Sequence, residues 1–350
     1  MERSQRIAGC ILGGAIGDAL GWPVEFLSSL AIRKAYGEEG IQDLDLKDKP
    51  CAEFTDDTQM TFFSAEGALR YLSAQKQTKK SPDFATIMHA SYRRWLFTQQ
   101  TPKAKDQPIL NGWLYACHTL HVRRAPGNSC LQSLNESWIG SVNDPINDSK
   151  GCGAVMRAAP LGIVFDAEDA FTYGMMAGAI THGHPSGYLS SAALARIIAE
   201  LLQGETLSYA LGTTMERLKH ESRHEECLLY LQKAYELASA DIEPTRAIAA
   251  LGLGWVGEEA LAIGVYCALK CATDTKKALL LAVNHDGDSD STGAICGNIL
   301  GAWKGVDALP KEWVERIEGR EILAQIIDDL HRGPDQSPDW NRRYPLTDQG

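Results

Sequence analysis

The stretch Asn284-His285-Asp286-Gly287-Asp288-Ser289-Asp290-Ser291-Thr292-Gly293 runs on into Ala294-Ile295-Cys296-Gly297-Asn298-Ile299-Leu300-Gly301-Ala302. Two patterns overlap in it. Carboxylates stand at every second position, Asp286, Asp288 and Asp290, with hydroxyls at Ser289, Ser291 and Thr292. Glycines then recur every fourth position, Gly293, Gly297 and Gly301, which places them on one face of a helix. The acidic run also follows Leu279-Leu280-Leu281-Ala282-Val283, so it lies between two apolar runs, at the edge of a core.

Neighbouring carboxylates repel, and a packed site holds several of them only when something cationic neutralises them. No Lys or Arg occurs between Lys277 and Lys304. A hard divalent cation with oxygen ligands, Mg²⁺, Mn²⁺ or Ca²⁺, fits that composition. An EF-hand is excluded: counting from Asp286, the glycine position holds Ser291 and the bidentate glutamate position holds Gly297. An acidic triplet in isolation also reads as a solvated surface loop; the apolar flanks argue against that here.

A second glycine ridge, Gly9, Gly13 and Gly17, lies in the helical segment Ile7 to Leu20. An interior glycine costs a helix about 1 kcal/mol relative to alanine, so each ridge calls for a packing reason. Close approach of another helix along its i±4 row supplies one. The two ridges are therefore expected to face each other. Pro23 ends the first helix. A second acidic group, Thr55-Asp56-Asp57-Thr58, opens a helix expected to run to about Leu72. Capping accounts for one acid there and the helix dipole favours both, so the pair reads either as a helix start or as a second half of the cation site, the second reading being preferred.

The bulk properties narrow the partner. With 34 Lys and Arg against 45 Asp and Glu over 350 residues, the net charge is −11. That argues against nucleic acid and against a membrane surface. No apolar run reaches the roughly 18 residues of a membrane span. Ile7 to Ile16 is broken by three glycines and preceded by Glu2, which speaks against a secretory leader. Nine scattered cysteines without a C-x-x-C pair suggest reduced thiols and a cytoplasmic setting.

The rest of the chain reads as helices. Phe84, Ile87, Met88, Ser91, Tyr92, Trp95 and Leu96 follow helical spacing, and Leu189–Gln203, Leu207–Leu218, Glu225–Ser239, Glu259–Lys270, Thr275–Val283 and Thr292–Trp303 continue it. Gln75 to Pro82 and Gln99 to Pro108 read as polar connections. No alternating strand is visible. The expected fold is all-α, one domain over residues 1–332, with an extended tail over 333–350 marked by Pro334, Pro338 and Pro345. Gly151-Cys152-Gly153 reads either as a helix entry or as a backbone cradle for a phosphate, and Thr181-His182-Gly183-His184 as a connection between two helices whose histidines either bind a ligand or have no chemical role. From the residues alone the chain is a metal-dependent hydrolase with an anionic substrate.

These residues resemble the ADP-ribosylglycohydrolase family. The matches are Gly17-Asp18-Ala19-Leu20-Gly21 with Glu25, Thr55-Asp56-Asp57-Thr58, Gly151-Cys152-Gly153-Ala154-Val155-Met156-Arg157, Thr181-His182, Gly254-Trp255-Val256 with Glu259-Ala260-Leu261, and Gly287-Asp288-Ser289-Asp290-Ser291-Thr292. They span nearly the whole chain in the family's order. The resemblance implies a compact single-domain orthogonal helical bundle and two divalent cations, Mg²⁺ or Mn²⁺. It implies metal ligands at Thr55, Asp56, Asp57, Asp288, Asp290 and Ser291, and catalytic acids at Glu25 and Asp290. It places ADP-ribose against Gly127, Asn128, Ser149, Lys150, Gly151, Gly153 and His182. Ser291 stands where many relatives have Thr and keeps the hydroxyl. Cys152 replaces a common Asn, and Ala125 stands where some relatives carry an acid. The details at Cys152, Arg124-Ala125-Pro126-Gly127 and Thr181 to Tyr188 lean toward the arginine-directed branch. The implied partner is an ADP-ribosylated protein, arginine-linked before serine-linked or O-acetyl. A rival reading is an immunity protein that binds an ADP-ribosyltransferase toxin directly.

Overall fold

A computed structural model of the chain describes residues 1–77, 83–101 and 109–346. Parts of the two expected polar connections, 78–82 and 102–108, and the last four residues of the tail lie outside them. In chain order the helices are α1 (Arg3–Gly21), α2 (Ser29–Tyr36), α3 (Asp56–Gln77), α4 (Phe84–Gln99), α5 (Trp113–Ala116) and α6 (Asn128–Asn135). There follow α7 (Ala159–Val164), α8 (Ala167–Ala179), α9 (Pro185–Leu202), α10 (Leu207–Leu218), α11 (Glu225–Ser239) and α12 (Pro244–Leu251). The last third holds α13 (Gly257–Lys270), α14 (Thr275–Val283), α15 (Ser289–Lys304), α16 (Lys311–Arg316), α17 (Arg320–Arg332) and α18 (Pro338–Arg343). The described residues contain no strand, only the isolated bridges Ala52 to Ile317 and Gly151 to Val256.

The two glycine ridges meet. α1 lies antiparallel along α15, with Gly9 against Gly301, Gly13 against Gly297 and Gly17 against Gly293. A Cβ on Gly13 would stand 2.9 Å from the Gly297 carbonyl carbon, and nearer still to its oxygen. Such contact requires two backbones with nothing between them, which only glycine permits. The Asn298 amide fastens the pair by donating to the Cys10 carbonyl at 2.8 Å. Around this pair sit α9, buried along its whole length, and α13. Pro185 at the first turn and the His184 ring, which accepts the Ser186 N–H at 3.1 Å, start α9 cleanly.

Three expectations change. The tail is not extended throughout: α18 buries Trp340 and Tyr344, with the Trp340 indole donating to Ser73 Oγ at 2.9 Å and the Tyr344 hydroxyl to Asp329 at 2.7 Å. Pro338 opens that helix rather than breaking one. Gly151 does not lead into an α-helix; Cys152–Ala154 is a single 3₁₀ turn and α7 begins only at Ala159. His184 serves as the cap of α9, so of the two loop histidines only His182 reaches the cleft described below.

Candidate active site

The starts of α3 and α15 and the end of α1 converge, because the glycine contact pulls α1 onto α15. The head of α15 is built by Asp288, whose Oδ1 accepts the Ser291 N–H at 3.3 Å, while Asp290 Oδ1 accepts the same N–H at 3.0 Å. The head of α3 is built by Thr55, whose Oγ1 accepts the Asp57 N–H at 3.3 Å and donates to Asp290 Oδ2 at 3.2 Å. Asp56 accepts the Gly127 N–H at 3.2 Å, which ties the α6 entry to the same point. Asp286 turns the other way. It caps α2, accepting the Ser29 N–H at 2.6 Å, so the alternating acids divide between a helix cap and the cluster.

Carboxylate oxygens of Glu25, Asp288 and Asp290 lie within 4.8 Å of one another, and all three side chains are buried. Asp56 and Asp57 are buried beside them. Burial and then the charge of Asp290 push the Glu25 carboxyl up to about 11. The same two causes raise Asp56 and Asp57 well above the usual range; burial followed by Asp288 does this to Asp290, and burial also raises Asp288. Glu25 Oε2 and Asp57 Oδ2 are buried with no hydrogen-bond partner. A buried carboxylate oxygen without a donor is costly. An oxygen-only set with such orphans fits a hard divalent cation.

The cluster is the floor of an open cleft of about 660 Å³. Of the expected residues, Glu25, Asp56, Asp57, Asp288, Asp290, Ser291, Gly127, Asn128, Gly151, Gly153 and His182 line it. Thr55 is buried behind the floor. Ser149 and Lys150 are not in the lining: Ser149 Oγ bonds Ser129 Oγ at 2.7 Å, and Lys150 Nζ turns away to Glu226 at 2.6 Å and to Glu258. His182 Nε2 faces the glycine turn, where a Cβ on Gly151 or Gly153 would come within 3.3 Å of it. Its Nδ1 meets Thr181 Oγ1 at 2.8 Å, and that hydroxyl accepts from Arg157 at 2.7 Å. Burial, then the Arg157 charge, hold the His182 pKa down to about 3, so the ring is neutral.

Sequence reasoning gave no role to three groups that shape the site. Asp18 is completely buried and accepts the Thr55 N–H at 2.9 Å and the Thr58 N–H at 3.0 Å. The signal was a carboxylate inside an otherwise buried apolar helix face, which is rarely tolerated unpaired. The Cys152 thiol donates to Asp288 Oδ2 at 2.8 Å; burial and then Asp288 raise its pKa well above the thiol range, which keeps it a donor. Phe26 and Trp255 stack at the mouth, ring centroids 5.7 Å apart.

An all-helical protein with an acid-floored cleft between the heads of two core helices is the class that fold and site define. The family model described as ADP-ribosylglycohydrolase matches residues 1–339, and the chain belongs to that family. The ADP-ribosyl-[dinitrogen reductase] glycohydrolase of Rhodospirillum rubrum is 27% identical over 331 residues, 92% of this chain and 94% of that protein. The ADP-ribosylarginine hydrolase Tri1 of Pseudomonas putida is 25% identical over 334 residues, 93% of this chain and 77% of that one. A solved structure, an ADP-ribosylglycohydrolase-related protein complex, shares the fold with a TM-score of 0.55 at 24% identity, over 95% of this chain and 98% of that one. Among the described residues no helix is long and apolar enough to cross a membrane.

Proposed function

We propose that this chain is a metal-dependent hydrolase that removes ADP-ribose from modified protein by cleaving the N-glycosidic bond to arginine. The observation that carries this reading is the buried convergence of Glu25, Asp288 and Asp290 under an open cleft, with orphaned oxygens on Glu25 and Asp57. Thr55, Asp56, Asp57, Asp288, Asp290 and Ser291 would hold two divalent cations, Mg²⁺ or Mn²⁺. When bound, the cations neutralise the acids and supply Lewis-acid chemistry at the ribose hydroxyls and a water.

The chain's own residues do the rest. Positive charge builds on the sugar as the bond to nitrogen breaks, and fixed carboxylates stabilise it. Water adds its oxygen to the anomeric carbon. With cations offsetting the neighbouring acids Glu25 would be ionised, so the water's proton passes to Glu25 and then to the departing guanidine nitrogen. Cys152 holds Asp288 in place by donating to it. The arginine linkage is supported by the details at Cys152 and Arg124 to Gly127 and by the likeness to the ADP-ribosylarginine hydrolase of Pseudomonas putida. Nine free thiols support a reducing, cytoplasmic setting.

The test is release of ADP-ribose from an arginine-ADP-ribosylated protein with Mg²⁺, with Mn²⁺ and with chelator, beside a serine-linked substrate and an Asp290→Ala control. Release that needs metal and Asp290 and favours arginine is the expected result. Release from serine alone would move the reading to O-linked ADP-ribose. No release from the folded protein would move it to direct binding of an ADP-ribosyltransferase toxin.

A further inference from the structure

ADP-ribose carries a diphosphate, and a cleft floored by carboxylates is a poor place for two more negative charges unless a cation meets them. The cations around the cleft are nearly all engaged. Lys150 is held between Glu226 and Glu258. Arg124 donates to the Phe54 carbonyl at 2.6 Å and pairs with Glu53 and Glu318. Arg157 is buried, donates to Thr181 and lies over the Tyr92 ring at 4.1 Å. His182 is neutral. The glycine turn offers fewer backbone donors than its sequence suggests: the Gly151 N–H goes to Ser149 Oγ at 3.3 Å and the Cys152 N–H to the Trp255 carbonyl at 3.2 Å.

Arg123 is different. It lines the cleft, it is exposed, and among the described residues it has no ion pair and no hydrogen bond from its side chain. It is also the one Lys or Arg of that lining. We infer that Arg123 binds the diphosphate of the substrate, the contact that the glycine turn and Lys150 suggest from sequence. This rests on the ADP-ribose reading of the cleft. The guanidinium fork matches two phosphate oxygens at once, which the ammonium of a lysine does not. An arginine without an internal partner gives up no ion pair when it engages the ligand. Lys150 becomes a residue of the frame: its backbone carbonyl accepts the Gly257 N–H at 2.8 Å while its side chain reaches Glu258, so it fastens the turn to the start of α13.

Calorimetric titration in saturating Mg²⁺ tests this with three ligands, ADP-ribose, ADP and adenosine, on the whole protein and on Arg123→Met, Arg123→Lys and Lys150→Met. Arg123 is exposed, so its replacement leaves the melting temperature unchanged. Arg123→Met is expected to weaken ADP-ribose and ADP about tenfold or more, to leave adenosine unchanged, and to flatten the salt dependence of ADP-ribose binding. Arg123→Lys recovers part of the loss, and Lys150→Met keeps the salt dependence. Wild-type affinity for ADP-ribose in Arg123→Met overturns the inference alone. So does an equal loss for adenosine, or a loss seen only with modified protein, which would assign Arg123 to an acidic side chain of the substrate. A folded wild type that binds no ADP-ribose overturns this inference together with the reading it rests on.

Discussion

Asp18 accepts the backbone N–H of Thr55 on both carboxylate oxygens, at 2.9 and 3.0 Å. The Thr58 hydroxyl adds a third donor at 2.5 Å. Asp18 therefore couples the end of α1 to the head of α3, which carries Asp56 and Asp57. Asp18→Asn turns an amide NH₂ toward donors that need an acceptor. It is expected to lower Mn²⁺ affinity by about 10- to 100-fold, the usual effect of removing a group that orients metal ligands. Calorimetry reads this directly; wild-type affinity would remove Asp18 from that role.

Glu25→Gln is expected to slow turnover by about a hundredfold or more and to leave cation affinity within about threefold, whereas Asp290→Ala loses both. Turnover with arginine-linked substrate and Mn²⁺ titration are measured on the same preparations. Full activity in Glu25→Gln would end the proton-transfer role.

The site sets a pH dependence of stability. Asp18 is raised to about 7 by burial and then by Asp290, and Glu25 to about 11. An acid whose folded pKa exceeds its unfolded value binds more protons in the folded state, so stability falls as pH rises between the two. In chelator the melting temperature should drop from about pH 4, the unfolded carboxylate value, through pH 7 and beyond. Divalent cations, which favour the ionised acids, should flatten that slope. A chelated protein that grows more stable from pH 5 to 8 would contradict the cluster as described.

Gly13→Ala places a Cβ against the Gly297 backbone, where neither partner can yield. Overpacking of this kind typically costs about 1–3 kcal/mol and more when backbone is displaced; Gly13→Leu is expected to unfold the protein or abolish activity. Gly212 in α10 is the control: a Cβ there meets nothing within 4 Å, so Gly212→Ala should stabilise by about 0.4–1 kcal/mol. Chemical denaturation of the two variants checks both signs.

Much of this was readable from local pattern. The paired glycine ridges named the central contact because the spacing itself demands a partner. α10, α11 and α14 begin and end at the expected residues, since their apolar periods are clear and Thr206 and Asp274 cap α10 and α14. What escaped was fixed by distant partners. Lys150 turns to Glu258 rather than into the cleft, and no pattern near position 150 announces a glutamate brought there by α13. Asp286 shares the spacing of Asp288 and Asp290, yet α2, a short helix absent from the sequence reading, claims it as a cap. Sequence reasoning passed over α17, although Ile322, Leu323, Ile326 and Leu330 carry a periodic signal for it. The tail misled because its prolines suggest extension, while Trp340 supplies enough apolar area to fold it back.

Trp340→Ala should cost about 3–5 kcal/mol, the usual range for a buried tryptophan, although the side chain sits on α18 in the expected tail. A melting temperature within a degree or two of wild type would show that the tail detaches freely.

The α1–α15 pair also sets when the protein can finish folding. The Asn298 to Cys10 hydrogen bond joins positions 288 residues apart. During synthesis α1 emerges long before α15, with five glycines that weaken it as an isolated helix and a glycine face that waits for its partner. Its partner arrives only when the ribosome has passed Gly301. Until then the Glu25 and Asp290 halves of the cluster belong to different ends of an unfinished chain, so the nascent protein holds no assembled cation site and depends on late, long-range closure.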